Sequence, residues 1–159
     1  SLTGGANSNY TLFVVNKRLT ATIANYMLFS MGEETNGKRR CLWHYSYFSD
    51  GYIAFNGQNA DYSNPIVSLK FLQNVANIAQ LKRNGQSISL AKNNDSYTTG
   101  TASATLVTYT ATSIFIATNN GQTEAYNGDY HEVLYYNDLI SDADRELILS
   151  YLNTKWGVY

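Results

Sequence analysis

The chain has few of the residues on which most protein chemistry depends. Among 159 residues there is one cysteine, Cys41, which excludes an internal disulfide framework and a thiolate zinc site. Two histidines, His44 and His131, are too few for a His-rich catalytic metal centre. Charged residues make up 14% and the net charge is −1, so no basic field draws nucleic acid or an anionic membrane. No apolar run reaches membrane-spanning length, which argues against membrane insertion, and no signal-peptide pattern is present.

Catalytic motifs are equally scarce. There is no Gly-x-Ser-x-Gly elbow. Cys41 and His44, three apart on one strand, face opposite ways and do not make a nucleophile–base couple. Cys41 reads as a small buried hydrophobe. Glycoside hydrolysis needs two carboxyls roughly 5 Å apart for retention or about 6.5–9.5 Å for inversion. Asp50 and Asp61 fall in turns, and Asp138, Asp142, Asp144 and Glu146 belong to a helix and its entry. Glu124, Asp129 and Glu132 come nearest to a cluster. Glu132 is alone on its strand and is expected to bond backbone or a neighbouring arginine. No catalytic residue is assigned and no enzyme is expected. A carboxyl pair assembled from distant strands is the alternative.

What the chain does have is β-structure, with aromatics at 14% and 14 tyrosines. Tyr10–Asn16 is a nearly continuous apolar strand, as expected of a central one. Asn25–Met31 is a second. Arg40–Phe48 and Tyr52–Phe55 flank Ser49-Asp50-Gly51, and Asn77–Lys82 and Gln86–Ala91 flank Arg83-Asn84-Gly85, giving two hairpins. Pro65, the single proline, closes a polar excursion that opens at Asn56-Gly57. Ala104–Tyr109, Ser113–Thr118 and Tyr130–Asn137 are further strands. Short strands with a turn signal every ten residues or so mean a sandwich or barrel. The chain is long enough for one domain with a real core.

The chain closes with one helix, Ser141–Trp156. Ser141 is the N-cap, with Asp144 as a shortened capping-box partner, and Gly157 is the left-handed stop. Leu147, Ile148, Tyr151, Leu152 and Trp156 recur at helical spacing and are expected to form the packing stripe. Residues 1–9 are small and polar and read as a flexible lead-in from a longer parent chain, and residues 10–159 as the single domain. The fold class is all-β, an antiparallel β-sandwich with one C-terminal helix packed on it.

Three stretches resemble one family: Gly128–Asn137, then Leu139–Arg145, then Tyr151-Leu152-Asn153-Thr154-Lys155-Trp156-Gly157. Together they resemble the C-terminal signature of laminin-G-like, concanavalin A-like jelly-roll domains. Tyr10–Val15 is similar to that family's opening strand and Leu81–Gly85 to its central hairpin. His131 departs from the pattern, where a small residue is usual, and is expected to tighten local packing. The resemblance implies a concanavalin A-like jelly roll of the kind found in bacterial surface proteins, glycan-binding modules and phage tail fibres. The Tyr- and Asn-rich character resembles the receptor-binding tip of a tail fibre. That likeness implies a bacterial surface glycan as partner, a homotrimer within a fibre, and a place on the virion or outside the cell. The alternative is a structural capping or trimerisation domain.

The strand Lys38–Phe48 is the leading ligand-binding candidate. Alternation groups Trp43, Tyr45 and Tyr47 on one face and Leu42, His44, Ser46 and Phe48 on the other. If Leu42 and Phe48 face the core, the first set is an aromatic platform. Sugar C–H faces stack on such rings, whose π-faces are electron-rich. If they do not, Trp43 and Tyr45 are core, and alternation alone leaves both readings open. Arg39 and Arg40 suit an acidic polysaccharide. Asn59, Tyr62, Asn94, Tyr97, Asn120 and Tyr126 are secondary candidates in rim loops. No cofactor is assigned. Calcium is considered for Asn93-Asn94-Asp95 and Asn56–Asp61, but each has one carboxylate, and turn-building is favoured.

Overall fold

A computed structural model of the chain describes residues 2–4, 9–19, 26–31, 40–45, 52–57, 67–101, 109–111, 114–116 and 126–159. The strands are β1 (Leu2–Gly4), β2 (Asn9–Arg18), β3 (Tyr26–Met31), β4 (Arg40–Tyr45), β5 (Tyr52–Gly57) and β6 (Val67–Lys70). They continue with β7 (Ala76–Asn84), β8 (Ser87–Lys92), β9 (Thr98–Thr101), β10 (Tyr109–Ala111), β11 (Ile114–Ile116) and β12 (Gly128–Tyr136), and α1 (Asp142–Trp156) follows. One five-stranded antiparallel sheet has the order β12-β2-β7-β8-β9 and a second has β11-β3-β4-β5-β6. Within the polar opening of the chain, Leu2–Gly4 pairs with Tyr109–Ala111 as a separate ladder.

The β2 sheet is the middle layer. On one face, Tyr10, Leu12, Val14, Ala79, Leu81, Ile88 and Leu90 pack with Leu28, Phe29 and Val67 of the second sheet. On the other, Phe13, Val15 and Ile78 pack with Leu149 and Leu152 of α1. This is why β2 reads as an unbroken apolar run: both of its faces are covered. The Tyr130 hydroxyl donates to the Leu28 carbonyl at 2.6 Å and ties β12 across the sandwich. At the β7–β8 turn Gly85 has φ 58°, a left-handed conformation that a side chain would disfavour.

The helix caps follow the sequence closely. Ser141 Oγ accepts from the Asp144 backbone N–H at 3.1 Å and donates to Asp144 Oδ2 at 2.7 Å. Gly157, at φ 59° and ψ 51°, donates to the Asn153 carbonyl at 2.8 Å. Replacing Ser141 with Ala is expected to cost about 0.5–2 kcal/mol, read as a lower urea midpoint at unchanged m-value.

The packing stripe differs from expectation. Leu147 is 70% exposed and Tyr151 47%, whereas Leu149 and Leu152 are buried. The buried arc runs through Ile148, Leu149, Leu152 and Trp156, so the helix is rotated to bring Leu149 inward and turn Leu147 to solvent. Strands β6 and β9 give no signal in the sequence. The first is four residues long. The second, Thr-Thr-Gly-Thr, is an exposed edge strand with no apolar alternation to announce it.

Candidate functional site

Register decides the face of β4. Leu42 pairs with Phe29 on one side and Phe55 on the other, and Phe55 pairs with Val67. Residues directly opposite in a ladder share a face. Phe29 and Val67 are both buried in the core, so Leu42 and Phe55 occupy a core-facing row. His44 joins the next such row, with Ile53 and Leu69. The alternate rows lie on the opposite face of the second sheet. One is Met27, Trp43, Ala54 and Ser68, and the other is Tyr45, Tyr52 and Lys70. Cys41 falls in that set too, with Ser30 and Asn56.

The helix packs on the other sheet, and its contacts among the described residues lie there and not on this face. Tyr52 is not disclosed by the sequence, because alternation within β4 says nothing of what its neighbour strand brings alongside. At its β6 end the Tyr45–Tyr52–Lys70 row meets a groove of ≈ 250 Å³ lined by Leu69, Lys70, Lys92, Asp95, Ser96 and Thr98. Trp43 and Tyr45 are placed here by backbone register alone, whereas Arg40, opposite Met31 and Gly57, has the parity of Leu42 and does not share their face. Arg39, Tyr47, Asn59, Tyr62 and Asn120 lie outside the described residues.

The other loop candidates sit elsewhere. Asn94 lines a second groove, ≈ 310 Å³, with Glu146, Ser150, Asn153 and Tyr159 along the helix. Tyr126 is engaged within the structure: its hydroxyl donates to Asn16 Oδ1 at 2.9 Å, and its ring meets Tyr130 edge-on at 4.7 Å. Burial pushes its phenol pKa well up, with the Arg18 charge opposing. Tyr97 lies against the helix face of the β2 sheet, beneath the Arg145 guanidinium at 4.7 Å from its ring centre. Burial raises its pKa while the Arg145 charge opposes. Although Arg145 is that close, its geometry is not that of a hydrogen bond to the hydroxyl, which is buried with no hydrogen-bond partner among the described residues. In the loop weighed for calcium, Asn93 Oδ1 accepts from the Ile78 N–H at 2.9 Å and Asn93 has φ 52°. That side chain builds the turn.

Glu132 is held by the helix and not by backbone or arginine. Tyr151 donates to its Oε1 at 3.0 Å, and Lys155 and Trp156 Nε1 donate to Oε2 at 3.0 and 2.8 Å. A bulge in β12 between Tyr130 and Glu132 re-aims the strand at this point. His131, in the bulge, lies against the Trp156 ring at 4.9 Å. The Trp156 hydrogen bond, followed by those from Lys155 and Tyr151, holds the carboxyl below its ordinary value of 4.5 despite some desolvation. A glycosidase acid needs the opposite shift. Because the folded value is the lower one, this contribution to stability is full above the unfolded value and is lost as pH falls through the folded one. Between pH 7 and pH 3 the wild-type melting temperature is expected to fall more than that of Glu132→Gln, which has no carboxyl to titrate there.

No family model matches the chain, and no curated protein sequence does. Solved structures do. The CBM40 of the Ruminococcus gnavus IT-sialidase, bound to α2,3-sialyllactose, is similar over 90% of this chain and 83% of its own, with a TM-score of 0.69 and 16% identity. A structure concerning cell entry of botulinum neurotoxin type C through two ganglioside molecules covers 93% of this chain, which spans 36% of it, with a TM-score of 0.64 and 9% identity. A leech intramolecular trans-sialidase is similar over 86% of this chain and 22% of its own, with a TM-score of 0.64 and 14% identity. At these identities the likeness shows the fold: a lectin-like antiparallel β-sandwich.

Proposed function

We propose that this domain is a non-catalytic glycan-binding module that takes saccharide on the outer face of its second sheet. The observation that carries the reading is the register, which groups Trp43, Tyr45 and Tyr52 on the face turned away from the core. Aromatic π-faces accept the C–H faces of sugar rings, and Lys70, at the end of the same row, supplies a donor for hydroxyl or carboxylate oxygens. Structures of the same fold that carry sialyllactose or concern gangliosides support the ligand class.

The finer reading is a distal tail-fibre domain on a virion, attaching to bacterial surface polysaccharide as a homotrimer. It rests on the C-terminal sequence resemblance. Several copies on one fibre would multiply a weak single-site affinity. A second reading, an assembly domain within a fibre, is favoured by the outward pair Leu147 and Tyr151, apolar neighbours one turn apart on the helix.

The test is binding of the purified domain to intact bacterial cells and to a microbial glycan array, with the bound glycan recovered and sized. Retention of glycan at its original length supports a binding module. Shortened product would make it a hydrolase. No retention by folded, assembled protein would leave the assembly reading.

A further inference from the structure

We propose that the helix-side face of the β2 sheet carries a second saccharide contact, an anion subsite for a carboxylate-bearing sugar formed by Lys82, Arg145 and the Tyr97 ring that lies between β8 and β9. The inference rests on the glycan-binding reading for its ligand class, but it concerns the opposite side of the molecule. Lys82 lies on β7 in a cross-strand row with Thr11, Ser89 and Thr99. Its ammonium is 5.8 Å from the Tyr97 ring centre, and the Arg145 guanidinium is 4.7 Å from the same centre. Among the described residues neither cation has a carboxylate partner. The two positive charges on this ring therefore lack a carboxylate counterion among the described residues.

Among the described residues nothing on the ring's own side supplies one. Tyr97 stays a neutral phenol at ordinary pH, because burial raises its pKa. Asp142 is near enough to act on Tyr97 electrostatically but forms no ion pair with either cation. The Asp95 contact is through its backbone: Arg145 Nη2 donates to the Asp95 carbonyl at 2.7 Å.

Arg145 is also preorganised. Its Nε donates to Gln80 Oε1 at 2.8 Å, and the buried Gln80 amide in turn donates to the Asn93 carbonyl. A guanidinium held in this way loses little freedom on meeting a ligand, which favours binding. Beside Lys82, the Ser89 and Thr99 hydroxyls share one exposed 2.7 Å hydrogen bond. Those hydroxyls can exchange partners with sugar hydroxyls, while the Lys82 ammonium takes the carboxylate in a charge-assisted bond and the Arg145 charge adds to the field. Free inorganic anions share the second feature and lack the first.

The test is an amide-shift titration of isotope-labelled domain with tetragalacturonate, with neutral cellotetraose, and with sodium sulfate at matched anion concentration. Tetragalacturonate is expected to move the amides of Lys82, Ser89, Tyr97 and Thr99, and Lys82→Ala to weaken that response roughly tenfold, with Lys82→Arg restoring it. Lys82→Gln serves if the alanine variant loses its folded spectrum. An equal response to cellotetraose or to sulfate overturns the proposal, as does unchanged affinity in Lys82→Ala. Trp43→Ala separates the two faces. If tetragalacturonate still moves this patch while no saccharide moves residues 40–57, the second-sheet reading fails and this one stands. If residues 40–57 respond and the patch is silent, this one alone fails.

Discussion

Leu152→Ala is expected to lower the unfolding free energy by about 2–5 kcal/mol, the range for removing a fully enclosed leucine side chain. Leu152 is 0% exposed and packs with Phe13, Val15, Ile78 and Leu149. Its loss leaves a void between the helix and the middle sheet, where the three donors to Glu132 hold both elements close and limit collapse. The comparison variant is Leu147→Ala. Leu147 has the same helical propensity, but its side chain is 70% exposed, so the change is expected within about 0.5 kcal/mol of wild type. Urea unfolding followed by tryptophan fluorescence reads both. A Leu152→Ala cost no larger than that of Leu147→Ala would mean that the helix is not docked through this arc.

Trp43→Ala is expected to weaken glycan binding by about 2 kcal/mol or more, roughly thirtyfold, with unfolding midpoint little changed. A tryptophan at the centre of a contact face supplies a large rigid area at low entropic cost, which is why truncating one removes so much affinity. The position is the middle of a four-strand row running from Met27 to Ser68. Calorimetric titration with the best array hit measures it. A large loss of stability with no loss of affinity per folded molecule would assign Trp43 to packing.

How far the sequence discloses these features depends on whether the physics is local. The caps Ser141 and Gly157 act within one turn of themselves, and they are legible. The β2 strand is legible as central because two covering layers leave it no polar face. The orientation of β4 is not legible, since alternation separates two sets without saying which is inward. Phe29 and Val67, on strands distant in sequence, settle it through Leu42 and Phe55. Leu147 and Leu149 both fit an apolar stripe, and only the docked helix selects Leu149. Glu132 looked solitary because its three donors come from residues 19 to 24 further along. Tyr97 was named for a loop, and its two cations come from β7 and α1.

The most direct measurement is a crystal structure of the domain soaked with the oligosaccharide it binds most tightly. The account predicts a sugar ring stacked on the outer face of the second sheet, over Trp43, Tyr45 or Tyr52, with polar contacts toward Lys70. Saccharide bound only in the groove between Asn94 and Tyr159, or only at rim loops away from β4 and β5, would contradict it.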